Sequence, residues 1–584
     1  MASTLDSTSD ATPEPPLDLP PDSVRAVLMP ALRWDGSRYR AEGTSDPLET
    51  LAASGVAGFI VFGGTADAVA ELTHRLRGAA SRPLLFGADL ERGAGQQFAG
   101  ATPLPPAGAL GSIGDPDVTR AAADLTAREA RALGIDIVFA PVADVASVPD
   151  NPIVGPRAFA AHPEEAARHV RAWVEGALQG GALPCVKHFP GHGRTTTDSH
   201  VGEVVVSADS TVVSSELAPF DAAVDAGVPV VMPGHLAVPA LDPTGRIATV
   251  SPVMLGELLR GDLGFDGVIV SDAMLMAGAG DLATTSVEAL LAGMDLLIYP
   301  RSVEVAESAV ARAAGRDPAV RARLLDATGR LRRLAEDAAA RREAGSAEGV
   351  AASGVDEGGG VGPDVGRRPD RIRARGWALG AVERVRGRLD PPGPDHAIRV
   401  VEVDDDAGGP YPTPSRDPFL SRMQGPGGTR DVDGMEAGRY GAGADRGPGD
   451  RGAATVLALW ADTRGWKGRA GLSDDAVREL AEALDDASGP THVVVFGGPR
   501  VVADIPDGPT VWLAWGGEAP MQRAAAERLL GSASGSSPDT SSDAGRDSEP
   551  GPGHDSRPGP GHDSERDPGH DPEPDPGSAA DSSA

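Results

Sequence analysis

HPEEAARHVRAWVEGALQGGALPCVKHFP, residues 162–190, contains one full unit of the pattern that decides the fold. Its first part opens as a helix, with Pro163 where a first turn needs no amide donor and acidic Glu164 and Glu165 beside it. Its last part, Pro184 to Pro190, is a short apolar run of strand length. Similar runs stand at 26–32, 58–64, 83–89, 135–141, 228–235, 267–273 and 295–300, separated by longer segments of helical spacing. Ser251-Pro252 opens another helix, and Gly227, Gly264 and Gly293 follow helical runs as natural stops. Near-continuous apolar strands alternating with helices predict a parallel sheet buried on both faces. Eight such units in roughly 290 residues have the size of a (β/α)8, TIM-like barrel. The alternative, an open doubly wound sheet, would normally place a Gly-rich dinucleotide turn after the first strand, and none is present there.

The full chain has 584 residues, 40% of them hydrophobic, enough for a sizeable core in its first part. Its 76 Gly and 52 Pro gather after about residue 345, where globular composition gives way to linker-like composition. A formal charge of −32 leaves no basic excess for a nucleic-acid partner, and it disfavours an anionic membrane surface. The single cysteine, Cys185, excludes an intrachain disulfide and fits a reducing compartment. The first residues lack the basic start and apolar run of a secretory signal, and no stretch reaches the ~20 apolar residues that span a bilayer. A soluble cytoplasmic protein is expected, with no protein partner indicated.

The expected organisation is α/β throughout the folded parts. A disordered N-terminus (1–23) precedes the barrel (24–344), and a linker follows (345–370). A smaller α/β sandwich domain (371–531) comes next, with strands at 398–403, 455–460, 492–497 and 510–515 and helices near 474–487 and 520–530. A Gly/Pro/Arg/Asp-rich insert at 407–451 reads as a mobile loop. The acidic tail, 532–584, repeats Pro-Gly-His-Asp around His554, His562 and His570. Such a tail has no preformed geometry to select a metal ion, so disorder is the expectation there.

In a barrel of this kind the chemistry sits at the C-terminal ends of the strands. The third run ends at Asp89, the fifth carries Lys187 and His188, the sixth ends at His235, and the seventh reaches Asp272. Each is a titratable group where an apolar residue would pack better. The richest segment is Lys187-His188-Phe189-Pro190-Gly191-His192-Gly193-Arg194-Thr195-Thr196-Thr197-Asp198-Ser199-His200. Its histidines suggest zinc at first sight, but His188 and His192 would share a face only in a helix, which Pro190-Gly191-His192-Gly193 forbids. No metal is expected.

That segment resembles, over its whole length, the signature Lys-His-Phe-Pro-Gly-His-Gly-x-Thr-x-x-Asp-Ser-His of glycoside hydrolase family 3, in its β-N-acetylglucosaminidase (β-N-acetylhexosaminidase) branch. Residues 263–272, Leu-Gly-Phe-Asp-Gly-Val-Ile-Val-Ser-Asp, resemble the same family's strand-seven stretch. The Asn151-Pro152 to Phe159 loop and Asp89-Leu90-Glu91 are similar to its sugar-binding segments. Two departures stand out: Ala273 follows Asp272 where the branch often has a second Asp, and Gly93-Ala94-Gly95-Gln96-Gln97 stands where the branch continues Gly-Gly-Arg with another Arg further on. The second domain is similar only in pieces around 497–499 and 515–525.

The resemblance implies a retaining hydrolase of terminal β-linked N-acetylglucosamine, acting on peptidoglycan fragments or related amino sugars without a cofactor. Asp272 would be the nucleophile and His200 the acid/base. An imidazole with an ordinary pKa near 6.5 both gives and takes protons around neutrality. Asp198 would orient it. Asp89, Arg157, Lys187 and His188 would bind the sugar. The alternatives are attack by the substrate's own acetamide, a β-glucosidase-like hydrolase, a His-dependent phosphorylase, or an inactive carbohydrate-binding barrel.

Overall fold

The computed structural model describes residues 24–195, 204–352, 365–393, 398–406, 414–424, 432–433, 453–462, 467–487 and 489–531. The expected N-terminal segment and acidic tail, with His554, His562 and His570, lie outside them.

Every one of the eight expected runs carries a strand. One sheet orders them as Val268–Ile269, Val230–Pro233, Leu183–Phe189, Ile137–Val138, Leu85–Ala88, Gly58–Phe62 and Ala31–Trp34, all parallel, with Tyr39–Ala41 antiparallel at the edge. Leu28–Met29 and Leu297–Ile298 form a separate parallel pair. Backbone contacts run from this pair to both flanks of the larger sheet. Val270 bridges Leu296, and the Ala57 amide donates to the Leu28 carbonyl at 3.0 Å. The ladders form a sheet and a pair, not one closed ring.

Helices alternate with these strands, and their boundaries follow local chemistry. Pro163–Gln179 starts at the expected proline, and Ser251 Oγ accepts the Met254 amide at 3.0 Å as a cap. Gly227 and Gly293, at φ 79° and 121°, end their helices in conformations that a side chain resists. Two buried carboxylates clamp the last helix, Pro318–Ala352, to the sheet. Asp295 takes Arg260 (2.8 Å) and Arg323 (2.5 Å), and Asp136 takes Arg77 (2.8 Å) and Arg342. That helix runs past the expected boundary at 345, and the next, Arg368–Ala381, begins inside the expected linker.

The second sheet orders Glu383–Arg386, Thr510–Leu513, Thr491–Gly497, Ala454–Ala461, Ile398–Asp404 and Val432–Asp433, parallel except for the first. Side chains alternate along it, as the strand period requires. Val494 and Phe496 pack under Arg368–Ala381 and Ala519–Leu530, while Val493 and Val495 face Asp474–Asp485. The reading of 407–451 as a mobile loop needs correction. Within it, Asp417–Gln424 is a helix whose Phe419 and Met423 are fully buried, and Phe419 packs edge-on to Phe496 at 5.1 Å. Residues four apart on one helical face bury together, and the Gly-rich surroundings masked that spacing.

Candidate active site

The strand ends of the first domain converge on one cavity, open to solvent. Asp89, Arg157, Lys187, His188 and Asp272 all line it, so five of the seven expected site residues are brought together. The other two, Asp198 and His200, lie outside the described residues. Phe62, Phe139, Met232, Met276 and Tyr299 supply apolar walls.

Lys187 is the hub. It projects from the strand Leu183–Phe189, is 3% exposed, and its Nζ donates to Asp89 Oδ1 and lies 2.7 Å from Glu91 Oε1. Glu91 also receives Arg157 through two bonds, Nε to Oε2 at 2.9 Å and the terminal nitrogen to Oε1 at 2.8 Å. Two cations and two carboxylates therefore alternate, and the charges balance. Burial alone would raise the Glu91 carboxyl, but Arg157 and Lys187 hold it well below the carboxylate range. Burial likewise opposes the Lys187 charge, and Asp89 and Glu91 outweigh it, keeping the ammonium protonated.

A second network fixes the histidines. His188 Nδ1 lies 2.7 Å from Asp144 Oδ2, and the His192 amide donates to Asp144 Oδ1 at 2.7 Å. Burial works to raise Asp144, yet His188 and these bonds keep it below its ordinary value. An ionised carboxylate only accepts, so His188 Nδ1 is the donor and Nε2 is the nitrogen turned away from Asp144. Burial pushes the His192 imidazole down to about 4, chiefly by desolvation. Its Nδ1 lies 2.6 Å from Thr195 Oγ1, and Asn151 Nδ2 donates to its carbonyl at 2.8 Å. Asn151 and Thr195, each 1% exposed, thus anchor the chain just before residue 196. Val204–Val205 pairs with Leu236–Ala237, next to His235.

Asp272 follows the strand Val268–Ile269 and accepts the Ala273 amide at 2.8 Å. Ser271 is buried and its Oγ takes the Ile298 amide at 3.0 Å, which tethers this strand end to the last strand. His235 is spent on structure, with Nδ1 2.7 Å from Thr249 Oγ1 and Nε2 3.2 Å from the Ala273 carbonyl. In the sequence Glu91 and Asn151 stood only as members of quoted segments, without a role of their own, and Asp144 was not singled out. Asp144 had a signal, a carboxylate just beyond the fourth strand run, parallel to Asp89 after the third.

Residues 38–334 match the model described as the glycosyl hydrolase family 3 N-terminal domain. A β-hexosaminidase of Idiomarina loihiensis is 37% identical over 271 residues, which are 44% of this chain and 80% of that protein. Two solved structures share the fold across 88% of this chain. One is a family 3 β-N-acetylglucosaminidase from Paenibacillus sp. str. FPU-7, with TM-score 0.63, 24% identity and 96% of its chain covered. The other is the β-glucoside phosphorylase BglX, with TM-score 0.71, 19% identity and 92% covered. With a family match over half of its length, laid across the strands that build this cavity, the chain belongs to glycosyl hydrolase family 3 and is a glycoside hydrolase.

Proposed function

We propose that the protein removes terminal β-linked N-acetylglucosamine with retention of configuration. The observation that carries this reading is that Asp272 shares one cavity with the Asp89–Lys187–Glu91–Arg157 ion cluster and His188. The eight parallel strands are read as one closed (β/α)8 barrel. The backbone contacts from Leu28 and Leu296 to the two flanks of the sheet support that closure.

In this mechanism Asp89, Lys187, Arg157 and His188 hold the sugar by charge-assisted hydrogen bonds to its hydroxyls, and the apolar walls cover its faces. The Asp272 carboxylate attacks the anomeric carbon while His200, oriented by Asp198, protonates the leaving oxygen. The glycosyl ester on Asp272 then breaks as His200 takes a proton from the attacking water, which returns Asp272 and releases the sugar. Support for His200 comes from the anchors of its segment: Thr195 on one side is held at His192, which lines the cavity, and Val204 on the other pairs with Leu236. Peptidoglycan fragments in the cytoplasm are the substrate class that fits this reading.

The test is a panel of aryl β-glycosides. The N-acetylglucosaminide is expected to show a kcat/KM at least about tenfold above that of the glucoside, the scale set by one well-placed polar contact. Equal values, or a preference for glucoside, would overturn the amino-sugar assignment.

A further inference from the structure

Two non-glycine residues among those described have a left-handed backbone, Tyr299 at φ 48° and Trp515 at φ 61°. Such conformations cost energy in bulky residues and persist where the surroundings impose them. Tyr299 lines the cavity. Trp515 belongs to the second domain, just after the strand Thr510–Leu513, yet its ring lies on the first. A Cβ on Gly108 would come within 2.6 Å of Trp515 Cζ3 and 3.2 Å of the Ala158 carbonyl. Ala158 is the residue after Arg157.

Two more contacts cross the same boundary. Arg500 Nε donates to Asp150 Oδ1 at 2.6 Å, next to Asn151, whose side chain holds Ile153, Val154 and the His192 carbonyl. Glu518 pairs with Arg92, the neighbour of Glu91. The Arg92 backbone is also held, its amide by Gln96 Oε1 at 2.8 Å and its carbonyl by the Leu104 amide at 2.9 Å. Asp150 and Arg92 stand beside Asn151 and Glu91 of the cavity networks, and Trp515 packs at Gly108, whose own neighbour is the Ala158 carbonyl next to Arg157.

We propose that Glu518 and Trp515 are positioning residues, through which the second domain sets the geometry of the Glu91–Arg157–Lys187 cluster and so the affinity for the sugar. This rests on the reading that the cluster binds the sugar. The second domain then supplies no reacting group; it holds the segments that carry Glu91 and Arg157 against each other. Loosening them weakens ground-state and transition-state binding alike, which appears in KM and spares kcat.

The experiment is steady-state kinetics of the full chain on the preferred aryl glycoside. Glu518→Gln keeps the shape and removes the charge; Gly108→Ala displaces Trp515 from the other side. Both are expected to raise KM by about five- to tenfold with kcat within about twofold. The exchange Arg92→Glu with Glu518→Arg rebuilds the pair in reverse and is expected to return KM most of the way to the wild-type value. An unchanged KM in both single variants, or a raised KM that the exchange does not restore, overturns the proposal. Asp272→Asn serves as the control that separates the two levels. If it retains turnover, the catalytic reading itself fails; if it is inactive while Glu518→Gln keeps its KM, only the coupling between domains fails.

Discussion

The two parallel sheets of this chain both place charged residues at the C-terminal ends of their strands, and they use them in opposite ways. In the first domain Asp89, Glu91, Lys187, Arg157 and Asp272 line an open cavity. In the second, Asp405 and Asp406 gather beyond Ile398–Asp404, and Asp462 follows Ala454–Ala461. There the space between them is filled by Lys467, whose side chain is 2% exposed, lies 3.3 Å from Asp405 and donates to Asp406 (2.5 Å) and the Asp462 carbonyl (2.9 Å). Arg469 and the Ser473 hydroxyl complete the shell around Asp405, at 2.8 and 2.6 Å. Strand-end charge therefore borders a void in the first domain, where the proposed reaction takes place, and encloses a buried cation in the second.

This contrast is sharpest for single substitutions, beginning with the largest effect. Asp272→Asn is expected to lower kcat by about 10⁴-fold or more with little change in stability, because on the proposed mechanism it removes the attacking group and no packing. A steady-state assay of the purified variant checks it. Glu91→Gln leaves Lys187 and Arg157 short of a counter-charge and is expected to cost about 3–5 kcal/mol of stability along with most of the kcat/KM. Denaturant unfolding measured beside activity decides whether the two losses travel together.

In the second domain the expectation reverses. Phe419→Ala empties a site packed against Phe496 and Trp460 and is expected to cost about 3–5 kcal/mol in unfolding while kcat stays within about twofold. A collapse of kcat in still-folded protein would break the division of labour. The smallest effect concerns pH. Burial holds His192 down to about 4, and it also lowers His169 and His492. The unfolded chain binds protons on these groups where the folded chain does not, so stability falls as the pH drops from about 6.5 toward 4. Thermal midpoints over that window are expected to fall less steeply in His192→Asn. Parallel slopes would place the loss elsewhere.

Much of the first domain was legible because its signals are local. Each apolar run, each proline at a helix start and each charged residue at a strand end sits within a few residues of the feature it marks. What escaped depends on contacts distant in the chain. Glu91 was passed over in favour of Asp89 because its partner Arg157 lies 66 residues on, and Asp144 because its partner His188 lies 44 residues on. The helix Asp417–Gln424 escaped for another reason: two buried residues on one turn are a weak periodic signal inside a Gly-rich stretch. No local pattern announces that Glu518 reaches Arg92 across the domain boundary.

In the proposed mechanism Asp272 becomes covalently attached to the sugar. Incubating the full-length protein with a fluorinated N-acetylglucosaminyl donor, which slows breakdown of the intermediate, and mass-analysing its peptides tests this in one step. A single glycosyl adduct on the peptide carrying Asp272, absent from Asp272→Asn, is the predicted result. Inactivation without any adduct there, or an adduct on another carboxylate, would contradict it.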